Sequence, residues 1–390
     1  MTLGDGTLLA WLTLVVWVYL FCAHGRFWRS TPELAPARSA TCPEVDIVIP
    51  ARDEAGTIGI VVASLLAQDY AGAFRVLVVD DSSTDGTAEI ARTAAAASCA
   101  TPSCGTRFSG AARLVVIAGR PKPAGWSGKL WALSEGVAAS RAPVLLFADA
   151  DVVHDPRHLA TLVARLEDLA PRVDLVSEMV RLNCSSLAER ALVPAFIYFF
   201  QMLYPFAKVN DPGSRVAAAA GGTVLIRRTA LLRIGGIEAI RGALIDDVTL
   251  AQAVKRGGAV YLGHSSLATS IRPYPHFRDI QGMISRTAFT QLQYSGGLLA
   301  VALLGLTLVW WVPLLEAVFG RGGARWCGLA AFALGAVSFL PTLRRYRQSA
   351  AWSLALPLIA LFYMAATLDS ALTHWRGGGA RWKGRDYNVR

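Results

Sequence analysis

From Gly297 to the carboxyl terminus the chain carries three long apolar runs, Gly297 to Phe319, Trp326 to Leu343 and Ala351 to Leu372, and these leave little choice of structure. A run of about 20 apolar residues is long enough to cross the hydrocarbon of a bilayer as a helix. In that solvent each backbone amide must be satisfied within its own segment, so the runs read as helices. A fourth run, Leu8 to Ala23, holds sixteen uncharged residues and stops at His24, Arg26 and Arg29. A secretory signal has its positive charges before the apolar run and small residues after it, so residues 1–25 read as an uncleaved anchor. Basic residues on its carboxyl side put the following domain in the cytoplasm. The four runs also explain a composition of 54% apolar and only 17% charged residues.

Three full crossings within 297–373 would leave Arg344, Arg345 and Arg347 inside and put the basic tail, residues 374–390, outside. That opposes the positive-inside tendency, so one segment is expected to be re-entrant or to lie in the interface. The net charge of +10 clusters beside the apolar runs. Attraction to anionic membrane lipid explains it, and with no helix-turn-helix or zinc pattern a nucleic-acid partner is excluded. Six scattered cysteines fit a reducing compartment; Cys99 and Cys104 stand close enough for a bridge or half a metal site but have no further partners nearby.

Between the anchor and the last runs, residues 42–290 alternate strand-like and helix-like stretches, the pattern of a mainly parallel sheet with covering helices. Strands are expected at Val45 to Ile49, Arg75 to Val79, Leu114 to Ile117 and Val173 to Ser177, with a surface insertion at Ser98 to Ala112. The informative strand is Pro143 to Asp151, whose apolar run stops abruptly at Asp149-Ala150-Asp151. Ligands collect at the carboxyl ends of such strands. On an extended chain the two acids point the same way, so they share one divalent cation or divide metal and sugar duties. A hard cation such as Mg2+ takes one or two carboxylates and completes its shell with phosphate oxygens and water.

Other acids keep company with this pair. Asp80 and Asp81 end the second strand; one has the role of accepting hydrogen bonds from a base or ribose while the other orients the loop. Gly125 to Lys129 opens a helix, where backbone N–H groups and the Lys129 ammonium can receive phosphate. Asp246 and Asp247 open another helix; one serves as its N-cap and the other is the candidate general base toward an acceptor hydroxyl. Arg286 is placed to neutralise a departing diphosphate. The aromatic stretch from Phe196 to Phe206 fits either an interfacial helix or a buried core helix.

The order of these pieces resembles the family-two glycosyltransferases of the GT-A fold over Val45 to Thr287. The resemblance rests on Ile49-Pro50-Ala51-Arg52-Asp53-Glu54, on Val79 to Thr87, on Asp149-Ala150-Asp151 and on Ile245-Asp246-Asp247. Gly125 to Leu133 and the tail Arg381 to Tyr387 are similar to membrane enzymes that glycosylate lipids, among them ceramide and carotenoid glycosyltransferases. The likeness is greatest to the glycosyltransferase encoded with bacterial hopanoid-synthesis genes. The resemblance implies an α/β GT-A domain, a nucleotide-diphospho-sugar donor (UDP-sugar in the first instance), Mg2+ or Mn2+, inversion, a lipid acceptor and a multi-pass protein of the bacterial inner membrane.

By position, the resemblance implies that Glu54 and Asp80 contact the nucleoside, with Pro50, Ala51, Arg52 and Asp81 also part of the nucleotide-sugar site. Lys129, Asp149 and Ala150 would lie at the ribose and phosphates, Asp151 with Asp149 at the metal, and Asp247 would be the base beside Asp246. Two departures matter: Asp246 stands where the family has Glu, and the Gln-x-x-Arg-Trp motif is reduced to Met283-Ile284-Ser285-Arg286-Thr287. The second weakens a rival reading as a processive polysaccharide synthase. A further rival is a catalytically silent scaffold of a lipid-synthesis complex.

Overall fold

The computed structural model describes residues 5–99, 113–168, 170–378, 380–382 and 385–387. Most of the expected insertion, including Cys104, therefore lies outside the described residues. An eight-stranded mixed sheet organises the rest: β1 (Val45–Ala51), β2 (Phe74–Asp80), β3 (Leu114–Ala118), β4 (Val144–Ala148), β5 (Val152–His154), β6 (Leu175–Arg181), β7 (Thr223–Arg227) and β8 (Val260–Ser270). The spatial order is β3-β2-β1-β4-β7-β6-β8-β5. β3, β2, β1 and β4 are parallel, β7 runs against both β4 and β6, and β8 is parallel to β6.

Every residue of β1 and β4 is buried, as continuous apolar strands between two helical layers must be. Alternation sends Ile47 and Ile49 to one core and Val48 to the other. Asp46 is fully buried in β1 without orphaned charge, because Arg75 meets its two oxygens at 2.9 and 2.7 Å and Ser140 donates to it at 2.6 Å. The expected strand from Pro143 to Asp151 is shorter than the sequence suggested. It ends at Ala148, and Asp149 to Asp151 form a turn before β5.

Helix Leu187–Leu203 resolves the two readings of the aromatic stretch. Ile197 and Tyr198 are fully buried, the Tyr198 hydroxyl lies 2.6 Å from the Ser338 hydroxyl, and the Phe199 and Tyr363 rings stack edge-on at 4.8 Å. It is a core helix wedged between the sheet and the apolar helices, started by a capping box of Ser186 and Glu189.

Among the described residues, three helices are long and apolar enough to cross a membrane: Gly296–Phe319, Gly323–Arg345 and Ala350–Trp375. The shorter helix Asp5–Cys22 runs parallel to the second of these, with Ala10 packed on Ala324 and Cys327 and Trp17 beside Gly335. Their carboxyl ends meet at the sheet, where Arg345 pairs with Glu33 at 2.9 Å. The third helix takes a different course. Ser353 and Leu356 line one cavity with Trp17, Trp310, Ala331 and Gly335, midway along the bundle. Its far end returns to the sheet domain: Asp369 accepts from Ser285 at 3.0 Å, Ser370 accepts from the Phe289 amide at 3.1 Å, and the Trp375 ring lies 5.4 Å from Phe289.

Candidate active site

A cleft opens at the carboxyl ends of β1 and β4, lined by Pro50, Lys129, Asp149, Gly221, Asp246 and Asp247 among others. Lys129 enters it from the first turn of helix Gly128–Ala139, whose start is fixed by the Ser127 hydroxyl accepting from the Leu130 amide. Its ammonium lies 3.0 Å from Asp149 and 3.2 Å from Asp246. Burial alone would depress the ammonium, but Asp149, Asp246 and Asp247 outweigh it and hold its pKa above the ordinary value. Burial raises the Asp149 carboxyl; Lys129 opposes that and the Asp151 charge adds to it.

Asp247 is the acid this arrangement sets apart. One oxygen accepts from the Val248 amide at 2.7 Å. The other faces Gly221, where a methyl group would sit 3.3 Å from it and 3.4 Å from the Lys129 nitrogen. The missing side chain keeps this wall of the cleft open. Burial and the neighbouring Asp246 push the Asp247 carboxyl up to about 7, so it can exchange a proton near neutral pH. Neither acid is the N-cap, contrary to the sequence reading. Ile245 holds that place without a side-chain hydrogen bond, and the pair occupies the first turn of helix Asp246–Lys255. Their carboxylates are stabilised there by Lys129 and by the positive end of the helix.

A second cation-centred cluster lies beside the first. Arg272, just past β8, reaches Asp151 at 2.7 Å and Glu54 at 2.8 Å. Burial would lower the guanidinium, but the two carboxylates hold it above its usual range. The turn thus corrects the sequence picture of two acids side by side on a strand: Asp149 goes to Lys129 and Asp151 to Arg272. Charges from both clusters reach Tyr274, whose phenol is raised by burial and feels Arg272, Asp151, Arg286 and Asp149.

The remaining expected residues fall into two groups. Asp80 lies in register with Ala51 on the adjoining strand, at the sheet rim beside Pro50, and one of its oxygens accepts from the Ser83 amide at 3.0 Å. It is separate from the residues that line the Lys129 cleft. Asp81 is buried and Arg52 donates to its carbonyl at 2.5 Å, so these two brace the loop instead of presenting free groups. Ala150 is buried inside the turn. Arg286 is exposed at the end of helix Phe277–Ser285 and has no ion-pair partner among the described residues, with its charge reaching Tyr274. Arg272 and Tyr274 were missed by sequence reasoning. The available signal was an arginine two residues past a long, largely buried strand.

Among the described residues no three acids, histidines or cysteines form a ready-made metal cage. The pair at the turn nevertheless fits a hard cation that brings its own phosphate ligands. Both Arg272 and Ser270 end on Oδ2 of Asp151 and Lys129 on Oδ1 of Asp149, leaving one oxygen of each acid for a metal.

Residues 46–235 match the family model Glycosyl transferase family 2. Among solved structures, the mannosyltransferase PcManGT from Pyrobaculum calidifontis, in complex with GDP-Man and Mn2+, is similar with a TM-score of 0.54 and 20% identity. The likeness covers 92% of this chain and 98% of that one, and it shows the GT-A fold. Glucosyl-3-phosphoglycerate synthase from Mycobacterium tuberculosis is similar at a TM-score of 0.39 and 19% identity, over 64% of this chain and 79% of its own. No curated protein matches the chain in sequence.

Proposed function

From a chain that carries a family 2 glycosyltransferase domain, and is a glycosyltransferase, we propose an enzyme that moves one sugar from a nucleotide-diphospho-sugar to a lipid hydroxyl, with inversion and a divalent cation. The observation that supports it most is Asp247, a carboxylate poised near neutrality that shares a cleft with Lys129 and Asp149, in a domain packed onto apolar helices. A hopanoid is the acceptor that the sequence resemblance points to.

In this reading the sugar's C1 lies over the cleft with its diphosphate toward Lys129 and Asp149. The acceptor oxygen attacks C1 from the face opposite the diphosphate and gives its proton to Asp247. The C1–O bond to the diphosphate breaks as the new C1–O bond forms, which inverts the anomeric carbon, and the nucleoside diphosphate departs. Lys129 offsets the charge growing on the leaving group. Asp149 and Asp151 would hold Mg2+ or Mn2+, which supplies further charge neutralisation at the diphosphate. Mn2+ accompanies GDP-Man in the Pyrobaculum enzyme, which supports the pairing of cation and donor but leaves the nucleotide to be assayed. Glu54, Asp80 and the Pro50 to Arg52 segment would receive the nucleoside at the rim, with Asp81 bracing that loop, and Arg286 would approach the diphosphate from the Tyr274 side.

The protein is read as residing in the bacterial cell membrane with its sheet domain in the cytoplasm. Arg26, Arg29, Arg344, Arg345 and Arg347 lie in the last turn of, or just past, helices whose carboxyl ends lie at that domain, which suits the positive-inside tendency. Both ends of the single helical run Ala350–Trp375 lie toward the sheet domain, one just past the Arg345–Glu33 pair and the other bonded to Ser285 and Phe289, which supports a segment lying in the interface with the basic tail on the cytoplasmic side. Purified enzyme given labelled UDP- or GDP-sugars, Mg2+ or Mn2+ and bacterial lipid extract should form a labelled glycolipid, lost in Asp247→Asn. Labelled polymer, or no labelled lipid from any donor, would overturn the reading.

A further inference from the structure

Tyr204 ends helix Leu187–Leu203 at a place where three parts of the molecule converge. The exit of the amino-terminal helix is one: His24 lies 2.9 Å from the Met202 carbonyl, and a methyl group on Gly25 would meet Pro205 at 2.8 Å. The segment leading into the first long apolar helix is the second, because the Gln291 amide nitrogen donates to the Tyr204 hydroxyl. Asp247 is the third, near enough for its charge to act on the phenol, which burial raises, Gln291 lowers and Asp247 raises further. Gln291 is itself held from the membrane side. Its short helix Ala288–Gln291 follows Thr287 and packs on Ala350–Trp375 through Phe289, Ser370 and Trp375.

The hydrogen-bond arithmetic at Tyr204 is specific. Gln291 can only donate through its nitrogen, so the Tyr204 oxygen is the acceptor in that contact and its own proton is left to give elsewhere. Exposed apolar side chains stand on both sides of the pair: Leu203 is 59% exposed directly before Tyr204, and Tyr294 and Leu298 follow Gln291 at 39% and 43%. A ligand arriving here from the bilayer would find apolar surface for its body and one oriented hydroxyl for its head.

We propose that the Tyr204–Gln291 pair is the acceptor-binding element of this enzyme, with the Tyr204 hydroxyl donating to the acceptor's hydroxyl oxygen. That contact turns the acceptor proton toward Asp247 and the remaining lone pair toward the sugar. The assignment rests on the reading of Asp247 as the base and commits the acceptor to a lipid alcohol. Gln291 acts through Tyr204 by holding its oxygen, and is a positioning residue.

The test is steady-state transfer to a lipid alcohol in mixed micelles with wild type, Tyr204→Phe, Gln291→Leu and the double variant, alongside calorimetric donor binding and thermal unfolding. Losing one hydrogen bond should raise KM for the acceptor by about 3- to 10-fold in Tyr204→Phe. Gln291→Leu should shift it in the same direction but less, and the double variant should be no worse than Tyr204→Phe alone. Donor affinity and the unfolding midpoint should stay at wild-type values. Unchanged acceptor KM, additive effects in the double variant, or a loss that tracks donor affinity or unfolding would overturn the assignment. Transfer by wild type to a water-soluble alcohol only would instead overturn the lipid reading, and the Tyr204→Phe comparison on that alcohol would still decide the role of the pair.

Discussion

The Lys129 ammonium lies 3.0 Å from the Asp149 carboxylate and joins the end of β4 to the helix that carries the candidate base. Without it, Asp149, Asp246 and Asp247 would face one another with no counter-charge. Lys129→Met should therefore lower kcat/KM by about 100-fold or more, the range seen when a preorganised charge is removed from a transition state. It should also move the acid limb of the pH profile upward, because Lys129 holds the Asp247 pKa down. Initial rates across pH for both proteins check this.

Burial and Asp246 push the Asp247 carboxyl up to about 7, and a base must be deprotonated to work. Activity should accordingly rise with pH through about 7 and level off above it, and Asp247→Asn should cost about 100- to 10,000-fold. The sign for stability is opposite. Between about pH 4 and 7 the folded protein keeps a proton that the unfolded chain has released, so this group's contribution is full below that window and lost above it. Asp247→Asn removes the loss, and its unfolding midpoint at pH 8 should equal or exceed that of wild type.

Arg272 joins two carboxylates, Glu54 and Asp151, that are themselves 7% and 8% exposed. Removing the shared partner of buried charges costs about 3 kcal/mol or more. Arg272→Gln should lower the unfolding midpoint and weaken cation-dependent donor binding, measured by calorimetry with and without Mn2+. Wild-type binding in a destabilised variant would limit Arg272 to a structural role.

On the proposed interfacial course of Ala350–Trp375, residue 378 stays on the same side as the sheet domain. A fluorescent-protein fusion at the carboxyl terminus should fluoresce, and an alkaline phosphatase fusion at the same point should be inactive. Active phosphatase would mean a third full crossing.

Much of this architecture could be read from residue order alone, because continuous apolar strands and charge-free helical runs have few alternatives. Val45, Phe74 and Val144 start strands within a residue or two of where the pattern put them. The site was legible in part. Lys129, Asp149, Asp246 and Asp247 are four residues from three places in the chain, and all line one cleft. What local spacing could not show was which cation each acid would choose. The turn at Ala150 sends Asp149 and Asp151 to different partners, and Arg272 reaches Glu54 across 218 positions of sequence. The aromatic stretch was ambiguous for a similar reason: a helix buried against other apolar helices has the same composition as one resting on lipid.

The short link between the amino-terminal helix and the sheet has one more implication. Glu33 is bridged to His264 of β8, the Leu34 amide donates to the His264 carbonyl at 2.8 Å, and the His264 amide donates to the Pro32 carbonyl at 2.8 Å. Edge pairing of this kind makes the link a rigid strut instead of a leash. On the proposed membrane reading, the cleft would then be carried at a set height above the phospholipid headgroups, and acceptors would be selected by how far their reactive oxygen protrudes.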